Sequence, residues 1–197
     1  MMSCTFDFSY YSTGAYDNYA HDCLIQGDEL VQNLLKNLKI EREDSVLDIG
    51  CGLGGLVASL RKAGFESWGT EISAYCLKES RVSDFIVNAS ATHLPFKNSS
   101  FDIIVSDGVL FYLTLLDLHL ALQEIRRICR KGFYIDTISE DSPNADQKIN
   151  PDSMRQNDRL LSKAEWSRLL ELNGFNTKRP LLQSLDNPDF HGYFSIK

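Results

Sequence analysis

Two carboxylates flank a run of glycines in the first third of this chain. Gly50, Gly52, Gly54 and Gly55 are four of its twelve glycines; Asp48 stands just before them, and Glu71 follows 23 residues after Asp48. Glycines at such a turn permit positive φ and let a ligand approach the N–H groups that open a helix. The spacing Gly50-x-Gly52-x-x-Gly55 fits a dinucleotide fingerprint, and Gly50-x-Gly52-x-Gly54 fits a GxGxG loop equally well. The acids separate the two. Asp48 repels a pyrophosphate and attracts an ammonium, by about a kcal/mol or more where water is partly excluded. Glu71 stands where an acid accepts both hydroxyls of a ribose. The ligand so described has a ribose, a cationic amino-acid end and no phosphate, and S-adenosylmethionine meets all three demands. Taken singly, Asp48 also reads as a cap of the glycine turn and Glu71 as a surface charge; their joint position carries the argument.

The elements that hold these residues alternate. The pattern predicts a helix from Asp28 with Leu30, Val31, Leu34, Leu35 and Leu38 on one face, then a strand over Ser45–Ile49 running into the glycines. A helix with Leu56, Val57 and Leu60 inward stops at Gly64, and a strand follows over Glu66–Glu71. Ser73 caps a short helix. Strands are expected over 84–87 and 101–106, and a long helix over 115–130 with Leu118, Leu122, Ile125 and Cys129 buried. Gly132 ends that helix before a strand over 133–138. Ser162 and Glu165 form a capping box for a last helix with Trp166, Leu169 and Leu170 inward. Strands over 177–183 and 190–196 close the chain. Strand–helix alternation implies an α/β fold: a Rossmann-like, doubly wound, mostly parallel sheet of seven strands with an antiparallel strand at one edge and helices on both faces.

Composition limits the remaining possibilities. A chain of 197 residues, 43% hydrophobic and 24% charged, buries a core without staples and is expected to form one domain. A net charge of −7 disfavours nucleic acid as a partner. The five cysteines are odd in number and widely spaced, with no CxxC, so neither a disulfide framework nor a zinc site is expected. No metal site is expected from the histidines either: His93 and His119 are read as solvent-facing, and His21 and His191 stand apart. No apolar run reaches the ~18 residues of a membrane span, and the start lacks the features of a secretory signal. These observations predict a cytoplasmic protein with no membrane partner.

Several stretches carry a resemblance. Val46-Leu-Asp-Ile-Gly-Cys-Gly-Leu-Gly54 and Gly69-Thr-Glu-Ile-Ser73 resemble the first two motifs of class I S-adenosylmethionine-dependent methyltransferases. Leu94-Pro-Phe-Lys-Asn-Ser-Ser-Phe-Asp102, the strand after it, Leu122 to Gly132, and Leu172-x-x-Gly-Phe175 are similar to that family's later motifs, the type 11 subgroup above all. The resemblance covers residues 45–197, with an echo in Ala15 to Ala20. It implies that Asp48 faces the methionine ammonium, that Gly50, Cys51, Gly52 and Gly54 meet the cofactor through backbone, and that Glu71 holds the ribose. Ile72 would pack on adenine, Ser90 and Ala91 flank its edge, and Ser106 lie under the methionine end. Two positions depart from the pattern. Ser90 stands where the family usually has an acid, and Arg130-Lys-Gly132 replaces Pro-Gly-Gly.

The acceptor side is read from the residues. Asp107, at the exit of the fourth strand, is the candidate catalytic base or acceptor-orienting group; it reads equally as a loop acid touching cofactor or backbone. Tyr11 and Tyr16 are expected to wall the cofactor, and Tyr19, Phe111 and Tyr112 to line the acceptor site, with core packing as the plain alternative. Residues 1–44 would form a helical cap, 45–138 the cofactor half, 139–160 a lid loop, and 161–197 the last helix and strands. The expected activity is methyl transfer to an N or O atom of a small molecule or short peptide. The alternatives are a non-catalytic binder or scaffold of the same fold and, with Asp48 against it, a nicotinamide-dependent oxidoreductase.

Overall fold

Strand β1 (Ser45–Ile49) is buried along its whole length, and β2 (Glu66–Glu71) pairs parallel to it, Ser45 opposite Glu66 and Ile49 opposite Thr70. The computed structural model describes residues 6–12, 18–38, 40–142, 160–177 and 189–197. Around this pair the chain order is α1 (Tyr19–Leu38), β1, α2 (Gly55–Lys62), β2, α3 (Ala74–Glu79), β3 (Ile86–Asn88), β4 (Phe101–Asp107), α4 (Leu115–Ile128), β5 (Cys129–Thr137), α5 (Lys163–Leu172) and β6 (Phe190–Ser195). The sheet has the order β3-β2-β1-β4-β5-β6, with β6 antiparallel to β5 at its edge. This is the mixed α/β architecture that the alternation implies.

The strand count differs from expectation. Among the described residues the sheet has six strands, not seven. Most of the seventh, expected over 177–183, lies outside the described residues; just before it, Phe175 reaches Ile196 as an isolated antiparallel bridge.

By its contacts the chain divides into two compact units, Met1–Ser90 and Ala91–Lys197. In the first, α1 begins at Tyr19 rather than Asp28. Gly27, which reads in sequence as a boundary, stands inside the helix for a steric reason. A methyl group on it would lie 2.6 Å from the carbonyl carbon of Gly55, and one on Gly55 would overlap the Cys23 carbonyl oxygen. The backbones of α1 and α2 touch there, which only glycine permits. Val31 and Leu34 are buried on α1, and Leu56, Val57 and Leu60 on α2, as their spacing predicts. Ser73 accepts a hydrogen bond from the Cys76 N–H at the start of α3. The next strand is shorter than expected: Ser83–Phe85 forms a 3-10 turn, and β3 begins at Ile86.

In the second unit α4 passes directly into β5, with no glycine turn between them. Phe101 pairs with Cys129 but Ile103 with Gly132, so a bulge in β5 absorbs Arg130 and Lys131. Arg130 is held there by the Asp102 carboxylate at 2.6 and 2.9 Å. Gly132 is a strand residue whose missing side chain makes room for the Tyr193 ring. Glu124 binds Arg127 through both oxygens and accepts from the Leu94 N–H, while Arg127 donates to the carbonyls of Leu94 and Phe96. This clamp fixes the Leu94-Pro-Phe stretch ahead of β4. The capping box at Ser162 and Glu165 opens α5, and Trp166 stacks on Phe190 at 5.9 Å; Trp166 and Leu170 are buried, Leu169 half-buried.

Candidate active site

In the first unit the glycine loop is held by β2. The N–H groups of Gly50 and Cys51 both donate to the Thr70 carbonyl, at 2.8 and 3.0 Å. The Gly52 N–H donates to Glu71 Oε2 at 2.8 Å, and Glu71 Oε1 accepts from the N–H groups of Ile72 and Ser73, each at 2.8 Å. Glu71 is 5% exposed, so this buried carboxylate ties the glycine loop to the start of α3 through three donors. Gly50, Gly52 and Gly54 all have positive φ, at 72°, 54° and 82°. Gly54 leads into α2 without a side-chain cap. Asp48 is buried at the end of β1, and the Cys51 thiol lies against Gly69, where a methyl group would come within 2.5 Å. Burial, with Asp48 and Glu71 nearby, pushes that thiol well up, so Cys51 is packed as an uncharged group.

An aromatic strap covers this loop. Tyr19 projects from the first turn of α1 with its hydroxyl over Gly52, where any side chain would displace it. Tyr11 sits between Tyr19 at 4.8 Å and Tyr75 at 5.6 Å. The Ser73 hydroxyl donates to the Phe6 carbonyl, anchoring the strap to α3. Burial and then Glu71 and Cys76 push the Tyr11 phenol far up; burial and nearby Cys76, Cys23, Glu71 and Asp48 do the same for Tyr19. Both stay protonated donors. Tyr19, expected on the acceptor side, thus stands with Tyr11 over the glycine loop; Tyr16 lies outside the described residues. Ile72 is 54% exposed beside Glu71, an apolar surface next to a hydrogen-bonding one. Ser90 is half-buried after β3.

In the second unit Ala91 is buried at its first residue, and Ser106 is fully buried in β4, its hydroxyl without a hydrogen-bond partner among the described residues. Asp107 ends β4. Its carboxylate is open at the surface but ringed by protein on its other sides; burial first, then the like charge of Asp136, raises it to about 7. Beyond it the Phe111 and Tyr112 rings lie tilted against each other at 4.1 Å and pack with Ile138 and Leu160. The Glu140 N–H donates to the Leu161 carbonyl and the Lys163 N–H to Asp141, which pins the two ends of the expected lid together. The middle of that segment, 143–159, lies outside the described residues. His93 is exposed and His119 half-buried. No group of three His, Cys, Asp or Glu among the described residues is placed to hold a metal ion.

Residues 47–135 match the family model described as a methyltransferase domain, which spans β1 to β5 and both carboxylate positions. Over these residues the chain is similar to the type 11 methyltransferase domain. The chain is 33% identical over 133 residues to an uncharacterized protein of Methanocaldococcus jannaschii, covering 64% of this chain and 57% of that one. It is 34% identical over 103 residues to a malonyl-[acyl-carrier protein] O-methyltransferase of Enterobacter lignolyticus, covering 50% of this chain and 40% of the other. The chain therefore spans less than two thirds of these relatives' length. Among solved structures, the PH0226 protein from Pyrococcus horikoshii OT3 shares the fold with a TM-score of 0.72 at 18% identity, covering 96% of each chain.

One acid beside Asp107 escaped the sequence reading. Asp136 pairs with Asp107 across the β4–β5 ladder. Its signal was an acid closing a hydrophobic strand, the pattern that Val46-Leu-Asp48 and Val105-Ser-Asp107 also show. Among the described residues no helix is long and apolar enough to cross a membrane.

Proposed function

We propose that this chain transfers the methyl group of S-adenosylmethionine to a nitrogen or oxygen that gives up a proton, on a small molecule or short peptide. The observation that carries the reading is the buried Glu71 carboxylate, fixed to the Gly52 N–H at the tip of a positive-φ glycine loop within the methyltransferase domain. The residues suit the donor. Glycines leave the loop backbone approachable, and Glu71 Oε2 holds a single N–H and keeps lone-pair capacity for a ribose hydroxyl. Ile72 offers apolar surface for adenine, with Ser90 and Ala91 at its edge. Asp48 supplies negative charge for the ammonium, and Tyr11 and Tyr19 give an aromatic, uncharged cover that favours a cation. Bound there, the sulfonium supplies an activated methyl group. The protein's own part is to orient the acceptor, exclude water and take up a proton. Asp107 takes the proton that the acceptor loses as its lone pair bonds to carbon, and Phe111 and Tyr112 wall the acceptor. The proposed setting is the cytoplasm, with no nucleic acid as substrate.

Calorimetry with S-adenosylhomocysteine and with NAD tests the donor reading; binding of NAD alone refutes it. Incubation with methyl-labelled donor and a metabolite extract tests the activity. Label in a small-molecule or peptide fraction supports transfer, whereas donor binding without any labelled product makes the chain a binder of the same fold.

A further inference from the structure

The ends of β4, β5 and β6 set three titratable residues on one rung. Asp107 is the register partner of Asp136, and Asp136 that of His191. Register partners project from the same face of a sheet, with neighbouring strands about 4.8 Å apart. Tyr134 lies on that face two residues before Asp136, and burial, then Asp136 and Asp107, push its phenol up. The rung cannot spread, because the Gly108 N–H just after Asp107 donates to the Asp136 carbonyl at 2.9 Å. Two carboxylates on adjacent strands at this spacing oppose each other's ionisation whatever else surrounds them.

We propose that Asp136 is a positioning residue for methyl transfer: fixed beside Asp107 by the β4–β5 ladder, its charge makes Asp107 a strong enough proton acceptor to serve an amine or hydroxyl near neutral pH. This rests on the reading of Asp107 as the proton acceptor. It narrows the acceptors to those that release a proton on methylation; the acceptor's lone pair forms the bond to carbon, the carbon–sulfur bond breaks, and the released proton passes to Asp107. Among the described residues, the titratable groups facing Asp107 are Asp136 and Tyr134 from β5, with His191 next along the rung from β6. Asp107 is raised to about 7, by burial first and by Asp136 second, in keeping with this arrangement.

The test follows the side-chain carboxyl carbons of aspartate-labelled protein by NMR across pH, and needs neither donor nor acceptor. In Asp136→Asn the Asp107 midpoint should move about one unit to the acid side, tenfold in proton affinity, and in Asp107→Asn the Asp136 midpoint should move acidward by a matching amount. Asp136→Ser serves as a second variant, and S-adenosylhomocysteine calorimetry on each variant verifies an intact donor site. Midpoints that stay put in both directions overturn the proposal. Loss of donor binding in the wild-type chain would instead overturn the cofactor reading and leave this coupling standing.

Discussion

Glu71 and Asp107 are both carboxylates at the C-terminal ends of parallel strands, and the protein treats them in opposite ways. Glu71 is buried, and three backbone N–H groups hold it. Asp107 is open to solvent on one side, its carboxylate makes no hydrogen bond among the described residues, and it is raised to about 7 by its surroundings and by Asp136. A carboxylate surrounded by fixed donors keeps its place, which suits binding. One that is set beside a like charge and given no donors gains and loses a proton near neutrality, which suits transfer.

The largest effect that would sharpen this contrast is on turnover. Asp107→Asn should lower methyl transfer about a hundredfold, within the usual range for a lost general base, while S-adenosylhomocysteine affinity stays within twofold. The reverse pattern would make Asp107 a binding residue. Glu71→Ala should weaken S-adenosylhomocysteine by tenfold or more in calorimetry and also lower the melting temperature, because three N–H groups lose their acceptor, at a cost of about 1–3 kcal/mol. Glu71→Gln keeps one acceptor oxygen and should do less of both. Asp48→Ala is expected to cost about tenfold in affinity, as loss of one charged contact does. In the wild-type chain turnover should rise with pH along an acid limb near 7, because the role proposed for Asp107 needs its deprotonated form; a flat profile from pH 6 to 8 would break the assignment.

The smallest effect is on stability. The native state holds the Asp107 proton more tightly than the unfolded chain, whose ordinary value is 3.8, so ionising Asp107 costs stability as pH climbs from there towards 7. Asp107→Asn removes that cost. Its melting temperature should exceed the wild type by about 1–3 °C at pH 8, a modest gain for a group open to water, and the difference should close at pH 4.

The sequence made the glycine loop and its two acids legible because their arrangement is local. Asp48, the glycines and Glu71 sit on one strand–loop–helix–strand stretch, where spacing translates directly into position. What the sequence hid was non-local. The early start of α1 depends on Gly27 meeting Gly55 across two helices, which no propensity scale registers. The direct passage from α4 into β5 depends on the bulge that Arg130 and Asp102 stabilise. Asp136 gains its meaning only from the β4–β5 register, and the place of Tyr19 over Gly52 depends on an α1 that begins two turns before Asp28.

The contact between Gly27 and Gly55 reaches further than packing. Tyr19 stands eight residues before Gly27 on the same helix, about 12 Å along its axis. The two glycines act as a fulcrum, and the tyrosine rides at the end of the arm. A bulkier residue at the fulcrum would tilt the arm and lift the phenol off the loop, so damage between the two helices would be measured as poor donor affinity.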